Sequence, residues 1–330
     1  MTIVGKIKKD RSTKNLEERL NNGEIAIIDH EDIDELSAYI LVNKQVSAVI
    51  NCKKYTSGRF PNRGTSVLEK NLIPIFEVTE GDLFGVLQDG DEVEIYNDIM
   101  LLSKKRIAKL LRVSSEVIEK SIKIAKRNMG YELDKFIENT MNYASKEKNL
   151  VLGNILLPNI KTVINDKHVL IVTRGQNYLE DLEAMSSYIE KIDPVLIGVD
   201  GGGDALLKYG LIPDIIIGDM DSVSDNCLLK SKEIIVHAYA DGFSPGMKRI
   251  SSLKLKSFSF ASLGTSEDIA MLLAYEKNAK LIVTIGSHSN IIDFLEKGRN
   301  GMASTFLVRL KIGDKLIDAK GVNMLNSYLS

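Results

Sequence analysis

The chain has 330 residues, of which 44% are hydrophobic, and these numbers favour a globular protein of two domains. The formal net charge of −2 at pH 7 indicates neither a nucleic-acid-binding protein nor one drawn to an anionic membrane by charge alone. The two cysteines and four histidines are scattered without metal-ligand spacing, which argues against a zinc site and a disulfide framework. No apolar signal segment and no run of about 18 apolar residues is present, so the sequence predicts a cytoplasmic protein.

Residues 1–102 alternate short apolar runs with helical patterns, and we expect them to form one mixed α/β domain. Strands are predicted at residues 24–28 and in VSAVINC and LIPIFEV, with helices in IDELSAYILVNKQ and TSVLEKN. The Asp-Gly pair in LQDGDEVEIYND predicts a β-hairpin.

The order of these elements resembles a swivelling β/β/α domain. Some such domains carry a phosphorylated histidine in the loop after the strand that corresponds to VSAVI. No histidine stands between Asn51 and Gly64, so the resemblance implies the architecture without phosphotransfer. Arg59 and Arg63 in this loop are either an anion site or part of a hydrogen-bonded surface loop.

Residues 103–150 show helical periodicity without a strand signal and are predicted to form one or two connector helices. The first part of the connector is basic and contains Lys104, Lys105, Arg106, Lys109 and Arg112. It is either a solvated face or a patch for a partner or a membrane surface.

Residues 151–330 alternate continuous apolar strands with amphipathic helices, beginning with the strand in HVLIVTRG. Strands of this kind are typical of an open parallel α/β sheet that helices cover on both faces. Ligands bind to such sheets at the carboxyl ends of the strands, where the strand order reverses. We therefore expect the functional site of this domain at that rim.

Three aspartates follow two of these strands, in the segment VLIGVDGGGDALLKYGLIPDIIIGDMDSVSD. Asp200 ends the first strand, Asp219 ends the second, and Asp221 follows in the turn. Carboxylate oxygens suit Mg²⁺, which bridges to substrate phosphates, and glycines let a backbone approach a phosphate closely. The pattern predicts a magnesium–phosphate site with these three acids as metal ligands. The phosphate contacts would be Gly201, Gly202 and Gly203. The alternative is that the aspartates only cap helices and the glycines only form turns.

The same segment resembles the catalytic domain of thiamin pyrophosphokinases. That family shows Asp-Gly-Gly, Gly-x-x-Pro-Asp and Gly-Asp-x-Asp-Ser in this order, and all three are present at Asp200–Gly202, Gly210–Asp214 and Gly218–Ser222. The resemblance implies that the acids hold magnesium and position ATP, with Ser222 in the phosphate site. It also implies transfer of a pyrophosphoryl group to an acceptor hydroxyl.

The rest of the domain departs from that family. In place of its Thr-Asp-x-x-Lys-Ala-Leu motif, Ser266 replaces the aspartate and Ile269 replaces the lysine. Glu267 and Asp268 supply acids, but on other faces of the same helix start. The later Gly-Gly-Arg-x-Asp-His motif is absent, and the remaining chain is too short for the β-sandwich that forms the thiamin pocket. Thiamin is therefore not expected as the acceptor.

A resemblance over nearly the whole chain is to the SteA family, bacterial cytokinetic-ring proteins with a thiamin-pyrophosphokinase-like domain. It rests on INCKKYTSGRFPNRG, TRGQNYLEDL, GVDGGGDALL, GTSEDIAMLL and GRNGMASTFLVRL, in this order, and Gly264–Asp268 has that family's own pattern. The resemblance implies a membrane-bound division protein as partner and a location at the division site. Members typically continue into a C-terminal membrane segment, so anchoring is expected if the full-length chain continues past residue 330.

Two other parts of the rim are candidates for ligand contact. Arg174 and Gly175 end the first strand of the second domain, and arginine suits phosphate oxygens. Otherwise Arg174 pairs with a nearby acid. Thr265 and Ser266 open a helix, and phosphate contact and simple helix capping are equal alternatives for them.

Three hypotheses follow. In the first, the chain is a cell-division protein that binds Mg²⁺ with ATP, another nucleotide or another phosphate ligand, and its catalysis is weak or lost. In the second, it is an active ATP-dependent pyrophosphoryl or phosphoryl transferase, with Asp219, Asp221, Glu267 and Asp268 as catalytic residues. In the third, the acids bind nothing and the domain is an assembly surface. Related kinases dimerise, so a homodimer is also expected.

Overall fold

The computed structural model describes residues 2–153, 155–239 and 241–326. The chain divides into two compact units. Unit 1 comprises Met1–Phe136 and Asn290–Asn300, and unit 2 comprises Ile137–Ser289 and Gly301–Ser330. The division between Phe136 and Ile137 lies between the boundaries predicted after residues 102 and 150, and the segment Asn290–Asn300 also belongs to unit 1.

Within the described residues, unit 1 is built on a closed seven-stranded barrel in the order β1-β2-β3-β4-β7-β6-β5. Neighbours from β1 to β4 pair in parallel, and the other pairs are antiparallel. The elements are β1 (Thr2–Asp10), α1 (Thr13–Leu16), β2 (Ile25–Ile28), α2 (Glu35–Asn43), β3 (Ala48–Asn51), α3 (Gly64–Lys70), β4 (Ile75–Glu80), α4 (Leu83–Val86), β5 (Glu92–Tyr96), β6 (Ile99–Leu102) and β7 (Lys105–Arg112).

Strand β2 shows why the barrel strands are apolar throughout. Ile25 and Ile27 belong to the cluster inside the barrel, whereas Ala26 and Ile28 belong to the cluster that includes residues of α2 and α3. Successive side chains of a strand point to opposite faces. Both faces of β2 are therefore buried, which accounts for a continuous apolar run rather than an alternating one.

The predicted helical connector is wrong for its first part, which is strand β7. Ala108 and Leu110 are buried while Lys109 and Leu111 between and beyond them are exposed, a period of two that fits a strand. Lysine, arginine and leucine are good helix formers, and pairing with β4 and β6 overrides that preference. The remaining connector is one long helix, α5 (Ser115–Glu147), followed by α6 (Asn149–Leu152).

The predicted hairpin exists, but its turn lies elsewhere. Strands β5 and β6 pair with Tyr96 opposite Ile99, so the turn is at Asn97 and Asp98. The Asp-Gly pair instead forms a turn that precedes β5.

In the basic segment, Arg106 pairs with Glu80 at 2.5 Å, and both side chains are largely exposed.

The described residues of unit 2 form a seven-stranded sheet in the order β12-β11-β10-β9-β8-β13-β14, in which every neighbouring pair is parallel. The elements after α6 are β8 (His168–Val172), α7 (Tyr178–Ala184), α8 (Ser186–Ile192), β9 (Val195–Val199), α9 (Gly202–Lys208), β10 (Ile215–Gly218), α10 (Asp225–Lys230), β11 (Glu233–Ala238), α11 (Met247–Ser252), β12 (Phe258–Ala261), α12 (Ser266–Glu276), β13 (Leu281–Ile285), α13 (Ile291–Glu296), α14 (Ala303–Ile312), β14 (Leu316–Asp318) and α15 (Val322–Asn326). Of these, α13 belongs to unit 1.

Helices cover both faces of this sheet, which confirms the predicted parallel α/β architecture. Residues of α7 to α11 pack in the clusters on one face, and residues of α6, α12 and α14 pack in the cluster on the other. The chain runs outward from β8 to β12 and then returns to β13 on the other side of β8. The strand order therefore reverses between β8 and β13, and the carboxyl ends of all seven strands form one rim.

None of the helices in the described parts of the chain combines the length and the apolar character needed to cross a membrane.

Candidate functional site

The centre of the rim is formed by the ends of two neighbouring parallel strands, β9 and β10. Val199 is level with Ile217, so Asp200 and Gly218 emerge side by side. The chain then turns sharply, with positive φ angles of 47° at Asp200 and 66° at Met220. A Cβ on Gly218 would lie 2.0 Å from Asp200 Oδ1. Glycine at this position thus leaves the space that the Asp200 carboxylate occupies.

The structure brings the three predicted metal ligands together. Asp200, Asp219 and Asp221 each offer one carboxylate oxygen, and these oxygens lie within 4.8 Å of one another. The Met220 N–H donates to Asp200 Oδ1 and the Asp221 N–H donates to Asp219 Oδ1, both at 3.0 Å, which fixes two of the carboxylates. Three like charges this close repel, and a divalent cation relieves the repulsion. The hard oxygen donors and their spacing fit Mg²⁺.

A second layer supports the turn that carries two of these acids. Arg249 donates to the carbonyl oxygen of Met220 at 2.5 Å and pairs with Asp225 at 2.5 Å. A Cβ on Gly246 would lie 2.3 Å from the carbonyl oxygen of Asp219, so the loop before α11 packs directly against the turn. Sequence reasoning missed Arg249, because nothing local connects it to a turn 29 residues earlier.

The Arg174 side chain lies against Gly201, the residue that follows Asp200. A Cβ on Gly201 would be 2.1 Å from Arg174 Nε, so the guanidinium lies across the glycine that follows Asp200. Arg174 Nη2 is also 3.8 Å from Asp204 Oδ2, and Asp204 in turn accepts hydrogen bonds from the backbone and hydroxyl of Ser224. Arg174 therefore lies at the rim and also forms an ion pair with Asp204, which was the alternative to phosphate contact.

The other predicted glycines are packing positions. A Cβ would lie 2.1 Å from the Gly286 oxygen at Gly175, 1.9 Å from the Val172 oxygen at Gly202, and 2.2 Å from Ile216 Cδ1 at Gly203. Each lets two backbones or a helix and a strand approach closely. Ser222 follows the acids in the same turn and is half-buried. Phosphate contact by these residues stays a prediction.

Thr265 and Asp268 form a capping box at the start of α12. The Thr265 N–H donates to Asp268 Oδ2 at 2.9 Å, and the Asp268 N–H donates to Thr265 Oγ1 at 3.0 Å. Asp268 also accepts from the hydroxyls of Ser304 and Thr305 and is fully buried. Burial raises the pKa of Asp268 above its ordinary value, against the lowering effect of these hydrogen bonds. This placement supports the capping alternative for Thr265 and does not support a catalytic role for Asp268.

Glu267 lies in a different charged network. Its Oε2 is 3.2 Å from His288 Nδ1, and its Oε1 is 3.8 Å from Arg309 Nη2, which is 3.0 Å from Asp318 Oδ2. Ser266, its neighbour, places Oγ 3.4 Å from His237 Nδ1. Among the contacts described for Glu267, none is with the three aspartates. Sequence reasoning did not find His288 or Arg309, which are brought to α12 by the turn after β13 and by α14.

Comparisons with known proteins give distant relatives. No family model matches the chain. It is 26% identical over 139 residues to a protein of Methanocaldococcus jannaschii named 6-hydroxymethyl-7,8-dihydropterin pyrophosphokinase, covering 38% of this chain and 54% of that protein. It is 27% identical over 176 residues to a Pyrococcus furiosus protein of the same name, covering 48% and 71%. The chain thus spans about half the length of the first relative.

Among solved structures, the chain is similar to a thiamine pyrophosphokinase of Bacillus subtilis. The identity is 22%, the match covers 46% of this chain and 60% of that one, and the TM-score is 0.29. The chain is therefore similar, at low identity, to proteins named as pyrophosphokinases.

Proposed function

We propose that unit 2 binds a magnesium-bound phosphate ligand at Asp200, Asp219 and Asp221, with ATP or another nucleotide as the first candidate. The observation that carries this proposal is the convergence of three carboxylates within 4.8 Å at the ends of β9 and β10. Bound magnesium would connect the carboxylates to phosphate oxygens and offset their charge. Arg174 lies on the adjacent glycine and is suited to the same phosphate oxygens.

The topology supports the same location. Asp200 and Arg174 follow β9 and β8, and β8 is next to the point where the strand order reverses. Crevices at such points are the usual ligand sites of open α/β sheets. The proposal thus has two independent supports, a donor set that suits the metal and a position that suits the ligand.

Calorimetric titration of ATP, ADP and GTP in Mg²⁺ tests the proposal. We expect the double variant Asp219→Asn/Asp221→Asn to lose the binding seen with the wild type. A matched control is Asp166→Asn/Asp193→Asn, which removes the same charge from exposed positions. Asp166 and Asp193 precede β8 and β9 and thus lie at the amino ends of the strands, opposite to the rim. Both control residues have positive φ angles, which asparagine tolerates. No binding by the wild type, or equal binding by both double variants, would refute the proposal.

A second candidate function is diphosphoryl transfer. Two relatives named as pyrophosphokinases favour it, together with the resemblance of the Asp200–Ser222 segment to thiamin pyrophosphokinases. In this reaction an acceptor hydroxyl oxygen attacks the β-phosphorus of ATP. The bond from that phosphorus to the oxygen bridging to the α-phosphorus breaks, AMP leaves with this oxygen, and the hydroxyl proton passes to a base or to solvent. Glu267, which lies outside the capping box, is the acid that stays a candidate for that base.

Release of AMP from ATP measures this activity directly. The acceptor panel includes a 6-hydroxymethyl-dihydropterin, thiamin and simple alcohols, each assayed with the wild type and with Asp219→Asn/Asp221→Asn. AMP formation that needs both an acceptor and the aspartates supports the transferase. Nucleotide binding without AMP from any acceptor leaves the binding function and removes the catalytic one.

The resemblance to the SteA family supports a proposal about the cellular role, that the chain acts with a membrane-bound division protein. The test is co-purification of the full-length protein from a bacterial host in which a membrane division protein is tagged. We expect capture by a specific division protein and not by an unrelated membrane protein of equal abundance. Absence of any such capture would count against this role and leave the ligand site untouched.

A further inference from the structure

Two exposed aromatic side chains stand together at the same rim, after β11. Tyr239 and Phe243 are 59% and 62% exposed, with ring centroids 6.1 Å apart and planes at 33°. Rings at this separation are in direct contact, so no third ring fits between them. The faces that point away from the pair are therefore the surface open to a ligand.

Hydrogen bonds join the described residues of the loop around this pair, which are residues 239 and 241–243. The Tyr239 N–H donates to the Phe243 oxygen at 2.9 Å, and the Gly242 N–H donates to the Tyr239 oxygen at 2.8 Å. Gly242 has a φ angle of +87°, which suits glycine. The Phe243 N–H also donates to Asp241 Oδ1 at 2.9 Å. Both rings are exposed together, in contrast to the scattered single apolar side chains that are ordinary on a protein surface.

Strand β11, which leads to this pair, is the neighbour of β10, which Asp219 directly follows. The register of the two strands ends with Gly218 level with Val236, and Tyr239 follows Val236 by three residues. Neighbouring strands are about 4.8 Å apart. Further along the chain, Gly246 packs against the carbonyl group of Asp219, so the chain returns to the turn that carries Asp219 and Asp221. Phe243 precedes Gly246 by three residues, which limits their Cα separation to about 10 Å.

We propose that the Tyr239–Phe243 pair is a stacking surface for the base of a nucleotide whose phosphates are held at Asp200, Asp219 and Asp221. This inference rests on the proposed phosphate site and specifies its ligand as a nucleoside polyphosphate, in contrast to an inorganic polyphosphate. All bases offer a π face, so stacking on aromatic side chains adds affinity with little base selectivity. The site would therefore accept purine and pyrimidine nucleotides with similar affinity.

A tryptophan reporter tests the stacking directly. The chain contains no tryptophan, so Phe243→Trp introduces the single tryptophan of the protein. We expect Mg²⁺-ATP to quench its emission and Mg²⁺-tripolyphosphate to leave it unchanged. The matched control is Tyr209→Trp. Tyr209 is an exposed tyrosine at the end of α9 that is distant from the rim, so the emission of the introduced tryptophan should change with neither Mg²⁺-ATP nor Mg²⁺-tripolyphosphate.

Calorimetry on Tyr239→Ala/Phe243→Ala supplies the second readout. We expect ATP to bind about tenfold to a hundredfold more weakly than to the wild type, the loss that corresponds to one stacked base. Tripolyphosphate should bind the two proteins equally, and Tyr209→Ala should bind both ligands as the wild type does. Equal ATP affinity in the double variant, with unquenched emission from Phe243→Trp, would overturn the inference while the phosphate site stands.

Failure of the phosphate site gives a different result. If the wild type binds neither ATP nor tripolyphosphate, the proposed function is refuted, and adenosine then tests the aromatic pair alone. Quenching of Phe243→Trp by adenosine would support a base-stacking surface without a phosphate site. No quenching by adenosine would overturn the stacking surface as well.

Discussion

Gly218 makes room for the Asp200 carboxylate: a Cβ on the glycine would stand 2.0 Å from Asp200 Oδ1 and 2.4 Å from Oδ2. The two residues are level on neighbouring parallel strands, one at the end of β9 and the other at the end of β10. The geometry of the carboxylate cluster therefore depends on a residue that has no functional group. A substitution of Gly218 therefore disturbs the geometry of the site without removing any of the three carboxylates.

We expect Gly218→Ala to displace the Asp200 carboxylate and weaken Mg²⁺ binding at least about tenfold, although all three acids remain. Titration with Mn²⁺ as a spectroscopic substitute for Mg²⁺ measures the change. Gly210→Ala is the control, because Gly210 also has a positive φ angle, +75°, but a Cβ there meets no atom within 4 Å. Backbone strain should lower the melting temperature of both variants, and only Gly218→Ala should lose metal. Equal metal affinity in the two variants would contradict this account.

Repulsion within the carboxylate cluster has a consequence for stability. Without a divalent cation, Asp219→Asn/Asp221→Asn should melt at a higher temperature than the wild type, because two of three neighbouring like charges are removed. With Mg²⁺ the order should reverse, since an ion that binds only the folded state stabilises it by about 2.7 kcal/mol at a concentration one hundred times its dissociation constant. Thermal melts with and without Mg²⁺ measure both effects. The control Asp166→Asn/Asp193→Asn should follow the wild type, and the same Mg²⁺ response in all three proteins would disprove a metal site here.

The capping box predicts that Asp268 is structural. Asp268→Ala removes the acceptor of hydrogen bonds from the Thr265 backbone and the hydroxyls of Ser304 and Thr305. We expect a loss of about 2–4 kcal/mol in the free energy of unfolding, from the lost cap and the buried donors left without an acceptor. Asp268→Asn, which keeps one acceptor oxygen, should lose less and bind Mg²⁺-ATP as the wild type does.

Denaturant unfolding and calorimetry on these two variants separate structure from chemistry. If Asp268→Asn is stable but binds nucleotide poorly, the structural assignment fails and Asp268 returns as a site residue. Glu267→Gln serves as the companion variant, because Glu267 is the adjacent acid and contacts His288 and Arg309 instead of the cap.

The parallel sheet and the acid cluster could be predicted because their signals are local. VLIGV and IIIG are apolar on both faces, as the central strands of a covered sheet require, and aspartates directly follow both runs. Parallel pairing then brings those aspartates to one rim with no further information. The glycines could be found for the same reason, although the structure shows that several serve close packing.

What could not be predicted depends on contacts distant in the sequence. Strand β7 is made of good helix formers and becomes a strand only because β4 and β6 flank it. The segment Asn290–Asn300 follows unit 2 in sequence yet belongs to unit 1, where Asp293 pairs with Arg63 at 2.5 Å across 230 residues. That pairing also gives Arg63 the structural role that was the alternative to an anion site. The paired aromatics after β11 carried no motif, so only their exposure and their neighbours identify them.

The burial of Glu296, a residue of α13, should make the stability of unit 1 depend on pH. Burial raises the pKa of Glu296 to about 7, against the lowering effect of the Arg63 backbone hydrogen bond and charge. The folded state therefore binds this proton more tightly than the unfolded state, whose carboxyl titrates near its ordinary value of 4.5. Stability from this group is fully present below pH 4.5 and is lost as pH rises through about 7.

Glu296→Gln removes the cost of the buried charge and should stabilise the protein at pH 8, on the order of 1–3 kcal/mol, with little effect near pH 4.5. Urea unfolding at both pH values measures the difference, with Glu92→Gln at an exposed position of β5 as the control. A gain that is the same at both pH values, or one that Glu92→Gln reproduces, would show that the buried charge of Glu296 is not its cause.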